Sequence, residues 1–421
     1  MTDHSTTEFK QSLLDFLHQS PTPYHAVKNM VASLESKGFS QCHERDSWSL
    51  TPGKGYYITR NDSSIIAFRL AKDLGSNPGL VMFGAHTDSP CLKVKPKGYK
   101  TTHGYQQLDV EVYGGALLAP WFDRDLSLAG RVSIKHEGQC SQHLIDLGVP
   151  IATIPSLAIH LHREANSKNP INAQTQLSPL LGQGDGSLES IISQALDKQG
   201  IVMDRLLDHE LLFYDTQPPA FIGINHEFIA SARLDNLLSC YVGLKALLDT
   251  TSDQTVMLFC SDHEEVGSQS AQGAGGPMLE QCIERLIPDT ETRLRTLSQS
   301  IMISTDNAHG IHPNYADKHD QQHAPLLNQG PVIKHNANQR YATNSETSSR
   351  FMMACEEAGV NYQQFVMRSD MSCGSTIGPI TSAKLGIPVV DVGLPTFAMH
   401  SIRELAGSDD GWGLYQALLK V

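Results

Sequence analysis

Residues 255–267 read TVMLFCSDHEEVG, a short apolar run that ends in acidic and imidazole side chains. An apolar run of this length, followed by polar residues, predicts a buried β-strand. The same arrangement recurs at 80–88, LVMFGAHTD, and at 301–309, IMISTDNAH. We therefore expect several buried strands whose carboxyl ends carry chemically reactive side chains.

Helical patterns and further strands lie around these three segments. Apolar residues at helical spacing follow Pro23, and a second such series follows Asp235. Short apolar runs at 65–70 and 387–392 predict two more strands. Strands that alternate with helices predict an α/β fold, in which a mixed, mostly parallel sheet is sandwiched by helices.

The middle of the chain has a different residue pattern. From about residue 95 to residue 228, alternating apolar and polar residues with many glycines and prolines predict β-rich structure. We expect an inserted domain over 95–228, so that residues 1–94 and 229–421 form the two parts of the main domain. The polar stretch 166–186 is expected to be a loop. Its GQGDG sequence lacks the preceding strand and the Lys-Ser/Thr of a phosphate-binding loop.

The candidate ligands are far apart in the sequence, but each lies at the end of a predicted element. Those that follow a strand are His86, Glu264 or Glu265, Asp306 and His400, and the one that precedes a helix is Asp235. In open α/β sheets, ligands bind outside the carboxyl ends of the strands. We therefore expect these side chains to converge at one edge of the sheet.

Two histidines with several carboxylates suit two divalent ions, zinc above all, with cobalt or manganese as substitutes. A metal pair activates water and polarises a carbonyl, which is the chemistry of hydrolysis. A carboxylate that is not a ligand can then move the proton. Glu264 and Glu265 supply one residue for each task, and chemistry alone does not say which is which. Asp88, two residues after His86, is placed to orient that imidazole.

Each candidate also has an ordinary structural interpretation. Asp235 can be a helix N-cap, and an acidic residue after a strand is often a turn former. Cys373 lies in a CGST stretch without the G-x-S-x-G motif, so we do not expect a serine hydrolase, and a buried structural thiol is the simpler interpretation. The coincidence of five ligand-type residues at element ends favours the metal site.

Composition disfavours several other functions. The 421 residues carry a formal net charge of −13, which disfavours nucleic acid as a partner. No apolar run is long enough for a membrane span, and the amino terminus has no pattern of a secretory leader. The eight cysteines are scattered without a C-x-x-C pair, which predicts reduced thiols in a cytoplasmic protein.

Along nearly its whole length, the chain resembles the aspartyl aminopeptidase family in its bacterial form. The strings that carry the resemblance include AHTDSPCLKVKP from Ala85, IPSLAIHL from Ile154, ARLDNLLSC from Ala232, DHEEVGSQSAQGA from Asp262, STDNAHGIHPNY from Ser304, GPVIKHNANQRYATN from Gly330 and DVGLPTFAMHSIRE from Asp391. The resemblance implies a zinc exopeptidase-like catalytic domain that is interrupted by a β-rich dimerisation domain.

The resemblance also implies a role for each candidate. The implied zinc ligands are His86 and Asp306 for one ion, Glu265 and His400 for the other, and Asp235 as the bridge. Glu264 is implied as the general base, with Asp88 orienting His86. His160 is implied to reach the active site of a neighbouring subunit and to stabilise the developing oxyanion.

Substrate and assembly follow from the same resemblance. Lys334 is implied as the cation that selects acidic residues, with His309 and Tyr341 as further substrate contacts. The implied assembly is a homo-oligomer of dimers that form a tetrahedral dodecamer. We therefore expect removal of Asp or Glu from peptides with a free amino terminus. The alternatives are the same dinuclear chemistry with a neutral preference and, from another class, a non-catalytic assembly protein.

Overall fold

The structure is a computed structural model that describes residues 2–72 and 79–421, with side chains from residue 4 onward. Two compact units make up the chain. The first comprises Met1–Asp88, Pro219–Met399 and Glu404–Val421, and the second comprises Ser89–Pro218 and His400–Arg403.

Ten α-helices and twenty strands are found in the described residues. The helices are α1 (Thr2–Gln19), α2 (Pro23–Ser36), α3 (Ala173–Gln176), α4 (Leu188–Asp197), α5 (Leu234–Asp249), α6 (Met278–Leu286), α7 (Thr290–Ser298), α8 (Ser345–Ala358), α9 (Ile377–Leu385) and α10 (Asp410–Leu418). None of the helices in the described part of the chain is both long and apolar enough to span a membrane.

The strands before Pro218 are β1 (Ser40–Gln41), β2 (Gly55–Arg60), β3 (Ser64–Arg69), β4 (Leu80–His86), β5 (Cys91–Thr102), β6 (Tyr105–Tyr113), β7 (Leu126–His136), β8 (Gln139–Asp146), β9 (Leu180–Gln183) and β10 (Arg205–Asp215). The later strands are β11 (Ala220–Ile222), β12 (Phe228–Ser231), β13 (Thr255–Ser261), β14 (Ile301–Thr305), β15 (Ala308–His309), β16 (Val332–His335), β17 (Gln363–Val366), β18 (Val389–Gly393), β19 (Pro395–Phe397) and β20 (Glu404–Gly407).

The first unit is built on a nine-stranded mixed sheet in the order β1-β2-β3-β13-β4-β14-β18-β16-β17. Its central strands β13, β4, β14 and β18 run parallel to one another. The predicted α/β fold with a mixed, mostly parallel sheet is confirmed. The helix predicted after Pro23 is α2, and the strands predicted around 65–70 and 387–392 are β3 and β18.

Both faces of this sheet are covered, which explains why its central strands are continuously apolar. Along β4, Phe83 packs in the core cluster that contains α5, whereas its neighbour Met82 packs in the cluster that contains α6 and α9. All seven residues of β4 are buried. A smaller five-stranded sheet, β11-β12-β20-β19-β15, completes the first unit.

The second unit is built on a six-stranded sheet in the order β8-β7-β10-β5-β6-β9. Neighbouring strands in it are antiparallel. The loop predicted over 166–186 is wrong in part, because it contains α3 and β9. The side chain of Asn172 caps α3, and β9 only adds to the edge of the sheet, so neither element needs the apolar periodicity of a core element.

The change from the second unit back to the first occurs before β11. This strand pairs with β12, and β12 pairs with β20, all within the first unit. The second unit begins at Ser89 and its long segment ends at Pro218. The inserted domain predicted over 95–228 overlaps most of this segment, and its boundaries remain a proposal.

Candidate metal centre

Three parallel strands bring candidate ligands to one edge of the nine-stranded sheet. β4 ends at His86, β13 ends shortly before Glu264 and Glu265, and β14 ends immediately before Asp306. The register pairs Ser261 of β13 with His86, so the two strands end at the same level. Parallel neighbours therefore carry residues that are distant in sequence to one place.

Four of the predicted ligands come together within the first unit. Nε2 of His86 lies 3.4 Å from Oδ1 of Asp235 and 3.7 Å from Oδ1 of Asp306. His86, Asp235 and Glu265 each offer one ligand atom, and these atoms all lie within 4.8 Å of one another. An imidazole and carboxylates at such distances form a donor set that fits zinc.

The local backbone explains how Asp235 reaches this group. The sequence predicts Asp235 just ahead of a helix. Asp235 falls at the start of α5, where its φ of −85° and ψ of 103° are not helical. Its backbone N–H donates to Oε2 of Glu404 at 2.8 Å. The N-cap of α5 is Arg233, and Asn236 is also non-helical, so the regular turns of the helix begin after Asp235 and Asn236.

Asp88 organises the residues on the other side of the group. Its two carboxylate oxygens accept hydrogen bonds from the backbone N–H groups of Glu264 and Glu265, at 3.1 and 3.0 Å. Nδ1 of His86 lies 3.0 Å from the carbonyl oxygen of Asp88 and 3.4 Å from Oδ1 of Asp88. One buried carboxylate thus fixes the strand end and the turn that carries both glutamates, as expected of a residue that supports metal ligands.

The pKa values of the buried carboxylates indicate that this group would bind a cation. Burial is the main cause that raises the pKa of Glu264 to about 7. The carboxylates of Asp306, Asp88 and Asp235 also raise this pKa, and His86 opposes the rise. Burial and then Asp235 raise the pKa of Glu265 well above its usual range. Carboxylates crowded in a buried site disfavour their own ionisation, and bound divalent ions would relieve this repulsion.

The same carboxylates also change the pKa of His86. Burial alone would lower its pKa, but the carboxylates of Asp235, Asp306 and Asp88 raise it well above the ordinary value. A metal ligand must present neutral imidazole. Zinc that binds these carboxylates would remove the attraction that holds a proton on His86.

The predicted substrate contacts of the first unit lie beside this group. Lys334 is only 1 % exposed, and its Nζ donates to the carbonyl oxygens of Asp306 and Asn307 at 2.9 and 3.2 Å. Nζ lies 3.8 Å from Oδ2 of Asp306 and 5.0 Å from the ring centroid of Tyr341. Burial and then the charge of Lys334 lower the pKa of His309.

The two remaining predicted residues belong to the second unit. His160 is exposed in a turn. Nδ1 of His400 lies 3.1 Å from the carbonyl oxygen of Gly115. Their assignments as an oxyanion contact and a zinc ligand stay predictions.

Two buried side chains that support the group were missed by the sequence analysis. Glu404 is 2 % exposed and holds the backbone of Asp235. Asn236 donates from Nδ2 to the carbonyl oxygen of Thr305 at 2.9 Å and so links α5 to β14. For Glu404 a signal existed, because it shares the inward face of β20 with the apolar Ala406.

Comparisons with known proteins identify the family of the chain. A family model described as aminopeptidase I zinc metalloprotease (M18) matches residues 16–420. A probable M18 family aminopeptidase 2 of Pseudomonas syringae pv. syringae (strain B728a) is 57 % identical over 408 residues, which cover 96 % of this chain and 95 % of that protein.

Solved structures are similar over the whole chain. The cryo-EM structure of the Ape4 and Nbr1 complex matches with a TM-score of 0.95 and 37 % identity, covering 99 % of this chain and 85 % of that one. The S. cerevesiae mApe1 dodecamer matches with a TM-score of 0.85 and 27 % identity, covering 98 % and 95 %. The chain therefore belongs to the M18 family of aminopeptidase I zinc metalloproteases, and it is a zinc-dependent aminopeptidase.

Proposed function

We propose that this aminopeptidase removes Asp and Glu from the amino terminus of peptides, with two zinc ions bridged by Asp235. Both the acidic preference and the metal pair go beyond the family assignment. The observation that carries the preference is the buried ammonium group of Lys334, 3.8 Å from the carboxylate of Asp306. A fixed cation at this distance from a metal ligand is placed to bind an acidic side chain on the residue being cleaved.

The proposed zinc ligands are His86, Asp235, Glu265, Asp306 and His400. When bound, the zinc pair would activate a water molecule and polarise the scissile carbonyl. Cobalt or manganese would suit the same donor set. The close approach of the ligand atoms of His86, Asp235 and Glu265 supports this part of the proposal.

Glu264 is the proposed general base. Its backbone is held by Asp88, and its carboxylate would take a proton from the attacking water and deliver it to the leaving amine. The same group must accept and then release the proton, which favours a pKa near the operating pH.

Lys334 would pair with the substrate carboxylate, while Tyr341 and His309 would line the same pocket. The ammonium group donates on one side to the carbonyl oxygens of Asp306 and Asn307. Such anchoring fixes the position of the charge before substrate binds, which lowers the entropy cost of binding.

We further propose a homo-oligomer in which His160 enters a neighbouring subunit's site. The turn of His160 exposes Leu157, Ile159 and Leu161, whose exposed fractions are 59, 48 and 75 %. An exposed apolar segment of this kind is typical of a protein contact. The related mApe1 forms a dodecamer, and we propose the same state, as a tetrahedron of dimers, for this chain. Eight free cysteines support a cytoplasmic location.

The decisive experiment compares kcat/KM for Asp-, Glu- and Leu-anilides on zinc-loaded enzyme. The proposal expects the acidic substrates to be preferred, and it expects Lys334→Met to lower their kcat/KM by roughly 10- to 100-fold with little change for Leu. Lys420→Met is the control, because Lys420 forms a surface pair with Glu357. Equal turnover of Asp and Leu by the wild type would favour the alternative with a neutral preference.

The metal pair has a separate test. Chelation should abolish turnover, and zinc analysis of the reconstituted enzyme should find about two ions per chain. A single ion per chain in fully active enzyme would contradict the bridged site. The ratio of acidic to neutral turnover would be unaffected by that result, so the two parts of the proposal can fail separately.

A further inference from the structure

A second buried carboxylate, Asp391 on β18, lies behind the proposed specificity pocket. Its exposed fraction is 0 %. One oxygen accepts from the hydroxyl of Thr376 and the other from the backbone N–H of Ala342, both at 2.6 Å. Ala342 follows Tyr341 in the sequence, so Asp391 holds the backbone next to one wall of the pocket.

Lys334 and Asp391 lie on neighbouring strands. β16 and β18 are antiparallel, Ile333 pairs with Val392 at the end of their ladder, and Lys334 and Asp391 are the next residues of the two strands. Burial raises the pKa of Asp391, and the charge of Lys334 is the strongest influence that opposes the rise.

A glycine of α9 leaves space for the carboxylate of Asp391. A Cβ on Gly378 would lie 2.3 Å from Oδ1 and 2.5 Å from Oδ2 of Asp391, so only glycine is compatible with this approach. The glycine lies in the first turn of α9, whose N-cap Thr376 also bonds the carboxylate. Buried charges persist when they are hydrogen-bonded and paired in this way.

Two carboxylates therefore act on the buried cation. Asp306 is a proposed zinc ligand, so its charge would be shared with the metal. The hydrogen bonds of Asp391 come from Thr376 and Ala342, and an ionised Asp391 would balance the charge of Lys334. Lys334 would attract a substrate carboxylate, and an ionised Asp391 would repel it. A neutral side chain would interact only weakly with either charge.

We infer that Asp391 is a specificity-determining residue whose charge offsets Lys334 and sets how strongly the pocket prefers acidic over neutral N-terminal residues. The inference rests on the proposed function, because it requires Lys334 to bind the substrate carboxylate. It is distinct from the role of Lys334 itself, since Asp391 acts on the substrate through space and not by contact.

Asp391→Asn isolates the charge from the hydrogen bonds. The amide oxygen can accept from the N–H of Ala342, and the amide nitrogen can donate to the Thr376 hydroxyl, which rotates. We expect the ratio of kcat/KM for Asp-anilide to that for Leu-anilide to rise about three- to tenfold. Asp391→Ser, also neutral, should raise the ratio in the same direction. Zinc content and particle mass are measured for each variant.

The matched test adds Lys334→Met to each neutral variant. If Asp391 acts by offsetting Lys334, its neutralisation should leave the ratio unchanged once Lys334 is absent. A ratio that stays constant or falls in both neutral variants, or that rises equally without Lys334, overturns the inference. Wild-type enzyme without any acidic preference would instead refute the proposed function on which it rests.

A purely structural role predicts a different pattern. Asp391→Ala leaves the N–H of Ala342 without its acceptor, and it should lower kcat/KM for both substrates by a similar factor. If the Asn and Ser variants did the same, with no change in the ratio, Asp391 would only support the fold.

Discussion

Glu264 and Glu265 are adjacent in sequence and identical in type, yet their surroundings differ. A carboxylate oxygen of Glu265 approaches the ligand atoms of His86 and Asp235 within 4.8 Å. Burial raises the pKa of both carboxylates, but Glu264 does not belong to that group. This difference supports Glu265 as the ligand and Glu264 as the group that moves the proton.

Glu264→Gln is therefore predicted to remove catalysis while keeping the metal. The amide has nearly the same shape but cannot accept the proton, so kcat should fall by about 10²- to 10⁴-fold. Steady-state kinetics and zinc analysis measure the two properties on the same sample. Glu265→Gln is the contrasting variant and should lose zinc. Near-normal turnover by Glu264→Gln would assign the base to another residue.

At the level of elements, the first turn of α5 depends on β20. Glu404 accepts the backbone N–H of Asp235 at 2.8 Å, where the helix has non-helical dihedral angles. We predict that Glu404→Ala weakens zinc binding by about 10- to 100-fold, as loss of a residue supporting a ligand does. Competition with a chromogenic chelator measures this change.

The control for that prediction is Glu357→Ala, because Glu357 forms a surface pair with Lys420. It should leave zinc affinity unchanged. If the Glu404 variant binds zinc as tightly as the wild type, the position of Asp235 is fixed by other contacts, among which is the bond of Asn236 to Thr305.

The start of α10 should make stability depend on pH. Asp410 accepts from the N–H groups of Asn328 and Gly330, yet its burial is the larger effect and raises its pKa from 3.8 to about 7. The folded chain thus holds a proton that the unfolded chain releases between about pH 4 and pH 7. This contribution to stability is complete below that window and is lost as the pH rises through it.

Asp410→Ala should accordingly show a smaller decrease in Tm than the wild type between about pH 5 and pH 7. Its Tm should also be lower throughout, because the partly buried N–H groups of Asn328 and Gly330 lose their acceptor. Thermal unfolding by calorimetry measures both effects, with Asp253→Ala at an exposed loop position as control. Parallel Tm curves for Asp410→Ala and wild type would show that Asp410 stays ionised in the folded chain.

At the scale of the whole molecule, the proposed assembly makes the second unit part of the active site. Leu161 is 75 % exposed next to His160. A charge at an apolar contact is costly to bury, so Leu161→Asp should reduce particle mass and kcat together. Leu294→Asp is the control, because Leu294 is 58 % exposed on α7 in the first unit. Light scattering and kinetics on the same preparations measure both properties.

Two results would contradict this prediction. A dissociated Leu161→Asp variant with full activity would show that a single chain completes its own site. An intact assembly with normal activity would show that the exposed turn is not a subunit contact. His160→Ala then separates the roles, since it should lower kcat without changing particle mass if His160 acts only on substrate.

Local patterns in the sequence determined most of the α/β frame and the candidate ligands. Apolar runs such as 255–260 mark strands that are buried on both faces, because such strands lack alternation. The ligands at their ends could be predicted for the same reason, since parallel strands expose their carboxyl ends at one edge. Short edge elements such as α3 and β9 escaped prediction, because they bury little and need no clear period.

The tertiary structure alone decided which residues oppose one another across strands and helices. Asp235 turns towards His86 because its backbone in α5 is not helical and is held by Glu404 from β20. The charge of Lys334 acts on Asp391 because β16 lies antiparallel beside β18. Such pairs depend on strand order and register over long separations, whereas spacing along the chain reports only on neighbours within one helix or strand.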